Sequence, residues 1–206
     1  MKYLYNNIIL NYHALCRFGV LLALLVPLAV SAASQPDSAA AQADRQAAEA
    51  ASRIRADFSA AMELIKSEEY DKAIKLLNKV IAQSPGSAVP YVNLALVYKK
   101  MENLKLAEEN LKLAIKIEPE NPVANNEYAL LYRKTGRFAE ARQIYEKLLE
   151  KYPNFMMAHK NLGILCDLYM QDSGCALKHY QIYSEFMPDD GAVKIWIADI
   201  QRRSNR

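Results

Sequence analysis

Two histidines and two cysteines stand close together late in the chain, at His159, Cys166, Cys175 and His179. Imidazole and thiolate groups are common zinc ligands, so this set first suggests a zinc site. The spacing argues against that site, because seven residues of helix separate His159 from Cys166 by about 10.5 Å along the axis. Zinc holds each of its ligands at only about 2 Å. We therefore expect no metal at these residues.

Cys166 and Cys175 admit two further interpretations. Cys166 comes near the end of one predicted helix and Cys175 near the start of its antiparallel partner, so their Cα atoms could lie within the roughly 4.4–6.8 Å that a disulfide requires. An oxidising compartment would favour the bridge, for which the chain-entropy model gives roughly 2–3 kcal/mol of stabilisation. Alternatively, both are buried free thiols that pack as small apolar groups. The sequence leaves both interpretations open.

No catalytic motif accompanies these residues. The sequence contains no Walker loop, no dinucleotide-binding glycine pattern, no HExxH and no GxSxG. Its carboxylates lie mostly among lysines on predicted exposed helix faces, as between Lys105 and Lys116, which is typical of a solvated surface. The 26 basic and 23 acidic residues are too evenly balanced to indicate nucleic-acid binding. We expect neither an enzyme nor a cofactor.

The first 33 residues have the order of a secretory signal peptide. Two basic residues and no acid flank the start of a 13-residue apolar run from Phe18 to Val30, and small residues follow at 31–33. The run is shorter than the about 20 apolar residues that span a bilayer. This pattern predicts a periplasmic or secreted protein, with an uncleaved inner-membrane anchor facing the periplasm as the alternative. The membrane is then contacted only through this segment.

The elements that position the remaining residues follow from a repeat of 34 residues. Prolines recur at this spacing, and so do residues of constant size. The columns are Pro85, Pro119 and Pro153; Ala73, Ala107 and Ala141; and Ala61, Ala95, Ala129 and Gly163. In each unit, apolar residues fall at helical spacing before and after a break, and the proline then ends the second helix. The small residues let the two helices of a unit approach closely.

These units resemble the tetratricopeptide repeat (TPR) family. The residues that carry the resemblance are clearest in one unit, as Tyr128-Ala129, Tyr132, Gly136-Arg137-Phe138, Ala141, Tyr145 and Pro153. The resemblance implies an all-α fold, a right-handed superhelical solenoid of about four helix-turn-helix repeats. The repeats are placed at 54–87, 88–121, 122–155 and 156–190, after an Ala-rich helical lead-in at 34–53. The fourth is one residue longer, near the turn at 170–174. Residues 191–206 are expected to form a capping helix anchored by Trp196.

The resemblance also implies that the first helix of each repeat lines a concave groove. The columns facing that groove are Phe58, Val92, Asn126 and Lys160; Met62, Leu96, Leu130 and Ile164; and Ile65, Lys99, Arg133 and Asp167. The middle column is apolar and the outer columns mix basic and polar groups, which suits an amphipathic helix or extended peptide with acidic residues for Lys99, Arg133 or Lys160. Leu96 and Leu130 stand where the two-carboxylate clamp of some family members needs polar groups, so a clamp is not expected. Alternatively, the lead-in or the terminal helix covers the groove, or the chain self-associates.

The resemblance therefore implies a non-catalytic scaffold in the cell envelope, whose partner is a peptide or helix of another envelope protein. Small exported bacterial TPR proteins, which this sequence resembles, often serve the assembly of pili, secretion systems, outer-membrane complexes or cytochromes. A repeat fold does not fix a function, and two alternatives stay open. The chain could be a structural subunit, anchored through residues 18–33, that acts by self-association. It could also be an accessory subunit of an envelope enzyme or secretion system.

Overall fold

The computed structural model describes residues 39–204, and within this range it contains nine α-helices and no strand. The helices are α1 (Ala39–Lys66), α2 (Tyr70–Gln83), α3 (Val89–Lys100), α4 (Leu104–Ile117), α5 (Pro122–Lys134), α6 (Phe138–Lys151), α7 (Met156–Leu168), α8 (Ser173–Phe186) and α9 (Gly191–Ser204). The predicted signal at 1–33, the start of the lead-in at 34–38 and residues 205–206 lie outside the described range. None of the nine described helices is long and apolar enough to cross a membrane.

The first helix runs without a break through the predicted boundary between lead-in and first repeat. No glycine or proline occurs between Ala39 and Lys66, and alanine and other strong helix formers dominate the segment, so nothing in the sequence ends the helix at residue 53. The chain divides into two compact units after Ala51. In the first unit, the described residues 39–51 are almost all exposed. In the second, α1 buries Phe58, Ala61, Met62 and Ile65.

The helices of the second unit pack as antiparallel neighbours in chain order. The most extensive contacts join α3 to α4, α5 to α6 and α7 to α8, and α9 packs on α8. The predicted small residues lie where the paired helices meet, and they are fully or almost fully buried: Ala95 and Ala107, Ala129 and Ala141, Gly163 and Ala176. The prediction of an all-α TPR solenoid is confirmed.

The turn inside each helix pair repeats one backbone conformation. Positive φ angles of 61°, 59°, 78° and 55° occur at Glu68, Glu102, Gly136 and Gln171. The first three are 34 residues apart, and the last is shifted by the extra residue of the fourth repeat. Only three residues connect the helices of the earlier pairs, whereas the four residues 169–172 connect α7 and α8. The left-handed conformation reverses the chain in a minimal loop, and glycine adopts it at the lowest cost.

The C-terminal part of the fold shares one hydrophobic core. This core joins the third repeat, the fourth repeat and α9, and it includes Tyr145, Leu162, Tyr180, Val193 and Ile200, all at most 1% exposed. Trp196, which also lies on α9, packs with its ring 5.4 Å from the Tyr180 ring, centroid to centroid. The helix therefore covers the apolar end of the last repeat, as predicted for a cap.

A disulfide ties the fourth helix pair together. Cys166, in the last turn of α7, is bonded to Cys175 in the first turn of α8, and their Cα atoms are 5.9 Å apart. Cys166 is fully buried and Cys175 half-buried. Of the two interpretations open from the sequence, the structure adopts the bridge.

The close contact between α7 and α8 can be tested at Gly163, where helix propensity and packing predict opposite changes in stability. A Cβ atom added at Gly163 would lie 2.5 Å from Cδ1 and 2.6 Å from Cε1 of the Tyr180 ring. Tyr180 is itself buried against Trp196, so it has little room to move. Helix propensity alone favours alanine over glycine by about 1 kcal/mol, whereas forced overpacking costs about 1–3 kcal/mol. We expect Gly163→Ala to lower the free energy of unfolding.

The matched control is Gly174→Ala, in the first turn of α8. A Cβ there meets only the Asp172 carboxylate at 3.7 Å, an ordinary contact, so this variant should be neutral or stabilised. Denaturant unfolding of the wild type and both variants measures the difference. A stabilised Gly163→Ala variant would show that the helices do not need this glycine.

Candidate partner-binding groove

The predicted groove residues lie on the first helices of the helix pairs, but they do not share one degree of exposure. Phe58, Met62, Val92 and Asn126 are buried, at 6%, 4%, 3% and 3% exposure. Ile65 is buried as well. The half-buried members are Leu96, Lys99, Leu130, Arg133, Lys160, Ile164 and Asp167. The sequence placed the whole set on the groove surface, whereas the structure buries the first column apart from Lys160, and also Met62 and Ile65 of the other two columns.

Val92 shows why the first column is inaccessible. It packs with Ala88, Ala114 and Ala124 in a small core that joins α3, α4 and the start of α5. The column therefore seals the contact between successive helix pairs. Periodicity along one helix cannot reveal this, because the contact depends on how the next pair stacks. The accessible apolar surface of the groove consists of Leu96, Leu130 and Ile164.

Two of the three predicted groove cations are already neutralised by acids of the same chain. The Lys99 ammonium group forms an ion pair with Glu127, a carboxylate that is only 5% exposed and lies on the next first helix, α5. A charged group at this depth needs such a partner, since burying it alone is costly. Lys99 is therefore held toward the groove floor and is engaged before any partner arrives.

Lys160 is engaged in the same way at the C-terminal end. Its ammonium group pairs with the Asp190 carboxylate, which also accepts a hydrogen bond of 3.1 Å from the Tyr183 hydroxyl group. The Lys160 Nζ atom lies 5.1 Å from the centre of the Tyr183 ring and 5.6 Å from that of Trp196. The hydrogen bond from Lys160 holds the pKa of Asp190 below its ordinary value. This network fixes α7 against the turn that precedes α9.

Arg133 is the exception among the three cations. No carboxylate in residues 39–204 forms an ion pair with it. Its Nη1 atom donates one hydrogen bond of 3.4 Å to the Asn161 carbonyl oxygen, and its guanidinium carbon lies 6.0 Å from the centre of the exposed Tyr169 ring. A guanidinium group has five N–H donors, so most of its capacity is unused by these two contacts. Arg133 is thus the groove cation that is available to a ligand.

A buried polar column, which was not predicted from the sequence, lies on the same first helices. Asn93, Glu127 and Asn161 are at most 9% exposed and stand 34 residues apart on α3, α5 and α7. Asn161 Nδ2 donates to Asn126 Oδ1 at 3.0 Å, which links two helix pairs through side chains. The Asn93 side chain donates to the Val89 carbonyl oxygen of its own helix at 2.9 Å. The 34-residue spacing could have revealed the column. Its three positions all hold polar residues, just as the positions of the other columns hold residues of similar size.

The four residues considered for zinc separate into two pairs. The Nδ1 atoms of His159 and His179 lie 2.9 Å apart, while the two cysteine sulfurs are bonded to each other. Within the described residues, Asp172 lies near both sulfurs in the one cluster of potential ligands. A disulfide sulfur carries no thiolate, which is the form that binds zinc. The sulfurs of this cluster are therefore not metal ligands in the oxidised protein.

Comparison with known proteins supports the fold over much of the chain. The profile of the family described as tetratricopeptide repeat matches residues 100–160. The "Uncharacterized protein ycf37" of Cyanophora paradoxa is 31% identical over 113 residues, which are 52% of this chain and 64% of that protein. A probable UDP-N-acetylglucosamine–peptide N-acetylglucosaminyltransferase SPINDLY of Petunia hybrida is 28% identical over 97 residues. That match spans 47% of this chain but only 10% of the transferase.

Among solved structures, the pilF protein of Pseudomonas aeruginosa superposes with a TM-score of 0.70 at 21% identity. The match covers 76% of this chain and 71% of pilF, and at this identity it speaks for the fold alone. The helix pairs, the 34-residue columns and the profile match agree with one another. The chain is similar to the tetratricopeptide repeat family over residues 100–160, and its described helices have the fold of that family.

Proposed function

We propose that this protein is a non-catalytic scaffold of the cell envelope, which binds an amphipathic segment of another envelope protein in the groove of its first helices. The observation that carries the proposal is the surface formed by Leu96, Leu130 and Ile164 together with Arg133. It combines half-buried apolar side chains with a cation that no described carboxylate neutralises. A ligand that buries these apolar side chains and pairs with Arg133 gains both apolar contact and charge complementarity.

The charge pattern narrows the kind of partner. Because Lys99 and Lys160 already hold Glu127 and Asp190, a strongly acidic partner would have to displace these internal ion pairs. Of the three cations, Arg133 alone can pair with a carboxylate of the ligand without breaking an internal ion pair. Leu130 and Arg133 are three residues apart on α5 and therefore lie on one helix face. The partner that fits is an apolar segment with one acidic side chain placed among its apolar contacts.

The non-catalytic role rests on the repeat fold and on the sequence, which carries no catalytic motif. The SPINDLY transferase is named for an enzymatic activity, but this chain aligns with only 10% of it. A repeat array attached to a catalytic domain can position a substrate without contributing to the reaction. Placement in the envelope rests on residues 1–33, whose charge and hydropathy pattern is that of an export signal.

A first test removes the apolar surface. We expect the double variant Leu96→Glu and Leu130→Glu to lose its partner, because two carboxylates would replace the surface that the ligand buries. The measurement is photo-crosslinking in native envelopes from a reactive residue placed at Ile164, with Gln143 on the exposed side of α6 as the control site. Wild type should give a discrete crosslinked band from Ile164 and none from Gln143.

The matched control substitution is Leu113→Glu, since Leu113 is 44% exposed on α4, a second helix. It should leave the band intact, and circular dichroism should show equal helix content in all variants. An undiminished band in the double variant, or equal crosslinking from Ile164 and Gln143, would refute binding in the groove.

A second test addresses the charge. We expect Arg133→Gln to weaken binding of the crosslinked partner by about tenfold, the loss of one charge-assisted hydrogen bond in a partly buried site. Lys147→Gln removes the same charge from an exposed position on α6 and should change the affinity little. Titration by fluorescence anisotropy at two salt concentrations measures both. Equal weakening by the two variants would mean that only net charge matters.

A third test addresses export. If the segment is a cleaved signal, N-terminal sequencing of the protein recovered from its native cell should begin at Ala33 or Ser34. Leu24→Arg should block export, because it places a charge in the apolar run. A protein that begins at Met1 and sediments with the membrane would instead support the anchored form.

A further inference from the structure

Two histidines meet at the junction of the third and fourth helix pairs. His159, in the first turn of α7, is 5% exposed, and His179 lies half-buried on α8. Their Nδ1 atoms are 2.9 Å apart, and His159 Nε2 lies 2.8 Å from the Pro153 carbonyl oxygen. The pair thus connects α8, through His159, to the segment that joins α6 to α7.

The Pro153 carbonyl group fixes a hydrogen on Nε2 of His159, and the charge of His159 then decides which tautomer His179 takes. A carbonyl oxygen only accepts hydrogen bonds, so His159 Nε2 must carry a hydrogen. A neutral His159 then has its lone pair on Nδ1, and His179 must donate to it from Nδ1–H. When His159 also carries a hydrogen on Nδ1, the contact persists only if His179 takes the Nε2–H tautomer and accepts that hydrogen on its Nδ1 atom. Two charged rings would place two N–H groups face to face at 2.9 Å and break the contact. The connection therefore requires that at least one of the two rings is neutral.

The surroundings also oppose a charge on His179. Arg142 and Glu146 face it from α6, His159 faces it from α7, and Lys178 precedes it on α8. These groups line a cavity of about 660 Å³ that is also bordered by Glu150 and Asp172. Burial, followed by the positive neighbours His159 and Lys178, lowers the pKa of His179 to about 4, and Glu146 opposes this only in part.

We propose that the His159–His179 pair is a pH-sensitive clasp, which holds the Pro153 segment and the fourth helix pair together while at least one ring is neutral and breaks when both rings take up a proton. This role is separate from ligand binding in the groove. The sign follows from proton linkage. The folded state takes up a proton on His179 less readily than the unfolded chain, whose histidine pKa is about 6.5. The stabilisation is complete above that value and is lost as the pH falls from about 6.5 toward 4.

The experiment compares unfolding of the full chain at about pH 7.5 and about pH 5 in the wild type and in His179→Asn. Asparagine offers a side-chain N–H near the position of Nδ1 and does not titrate in this range. We expect the unfolding equilibrium constant of the wild type to rise by up to about 30-fold between the two conditions from His179 alone. The variant should show a clearly smaller rise. Equal pH dependence in the two proteins would overturn the clasp.

A second measurement does not depend on whether the variant folds. Nitrogen-15 chemical shifts of the wild-type imidazoles report the tautomer and the charge of each ring. The clasp requires the Nε2–H form at His159 and the Nδ1–H form at His179 at about pH 7.5, and a His179 ring that stays neutral at about pH 5. A His179 ring that is mostly charged at about pH 5, or that carries its hydrogen on Nε2 at about pH 7.5, would overturn the proposal.

Discussion

The close approach of the two helices in each pair is the constraint on which the rest of this structure depends. At Gly163 the neighbouring helix comes so near that one added carbon would lie 2.5 Å from the Tyr180 ring. Alanines serve the same purpose at Ala95 and Ala129, where they are buried almost completely. Tightly paired helices stack in register, because each pair can bury its apolar face only on the next one. That stacking places the first helices next to one another, on the surface where we propose the groove.

Most of the cations predicted to line the groove are neutralised within the chain, which the composition of the groove does not indicate. Glu127 and Asp190 neutralise Lys99 and Lys160, and both ion pairs join one helix pair to the element that follows it. Such pairs fix the register of the stack and remove two cations from the binding surface. In the proposed function, Arg133 selects for a carboxylate, while the apolar column supplies contact area. A single cation among apolar groups favours specificity of placement over strong attraction at long range.

Much of the fold was predictable, because the 34-residue period of the sequence determines where the helices and turns occur. The helix pairs from α3 to α8, the extra residue near Gln171 and the cap at α9 all follow from columns of small, large and proline residues. The continuous α1 was not predicted, since the first repeat lacks a sequence signal that separates it from the lead-in. In the groove, the burial of Val92 and the partners of Lys99 and Lys160 depend on contacts between successive pairs. Periodicity within one helix does not contain those contacts.

The central claim is that the groove recognises an apolar segment through one carboxylate placed at Arg133. A charge-swap cycle tests it most directly, once crosslinking has identified the partner. Affinities are measured for wild type and Arg133→Glu, each with the partner's native carboxylate and with lysine in its place. The account predicts that either single change weakens binding and that the double change restores it, with a coupling energy of about 1–2 kcal/mol. Additive losses with no restoration, for every acidic residue of the bound segment, would contradict it.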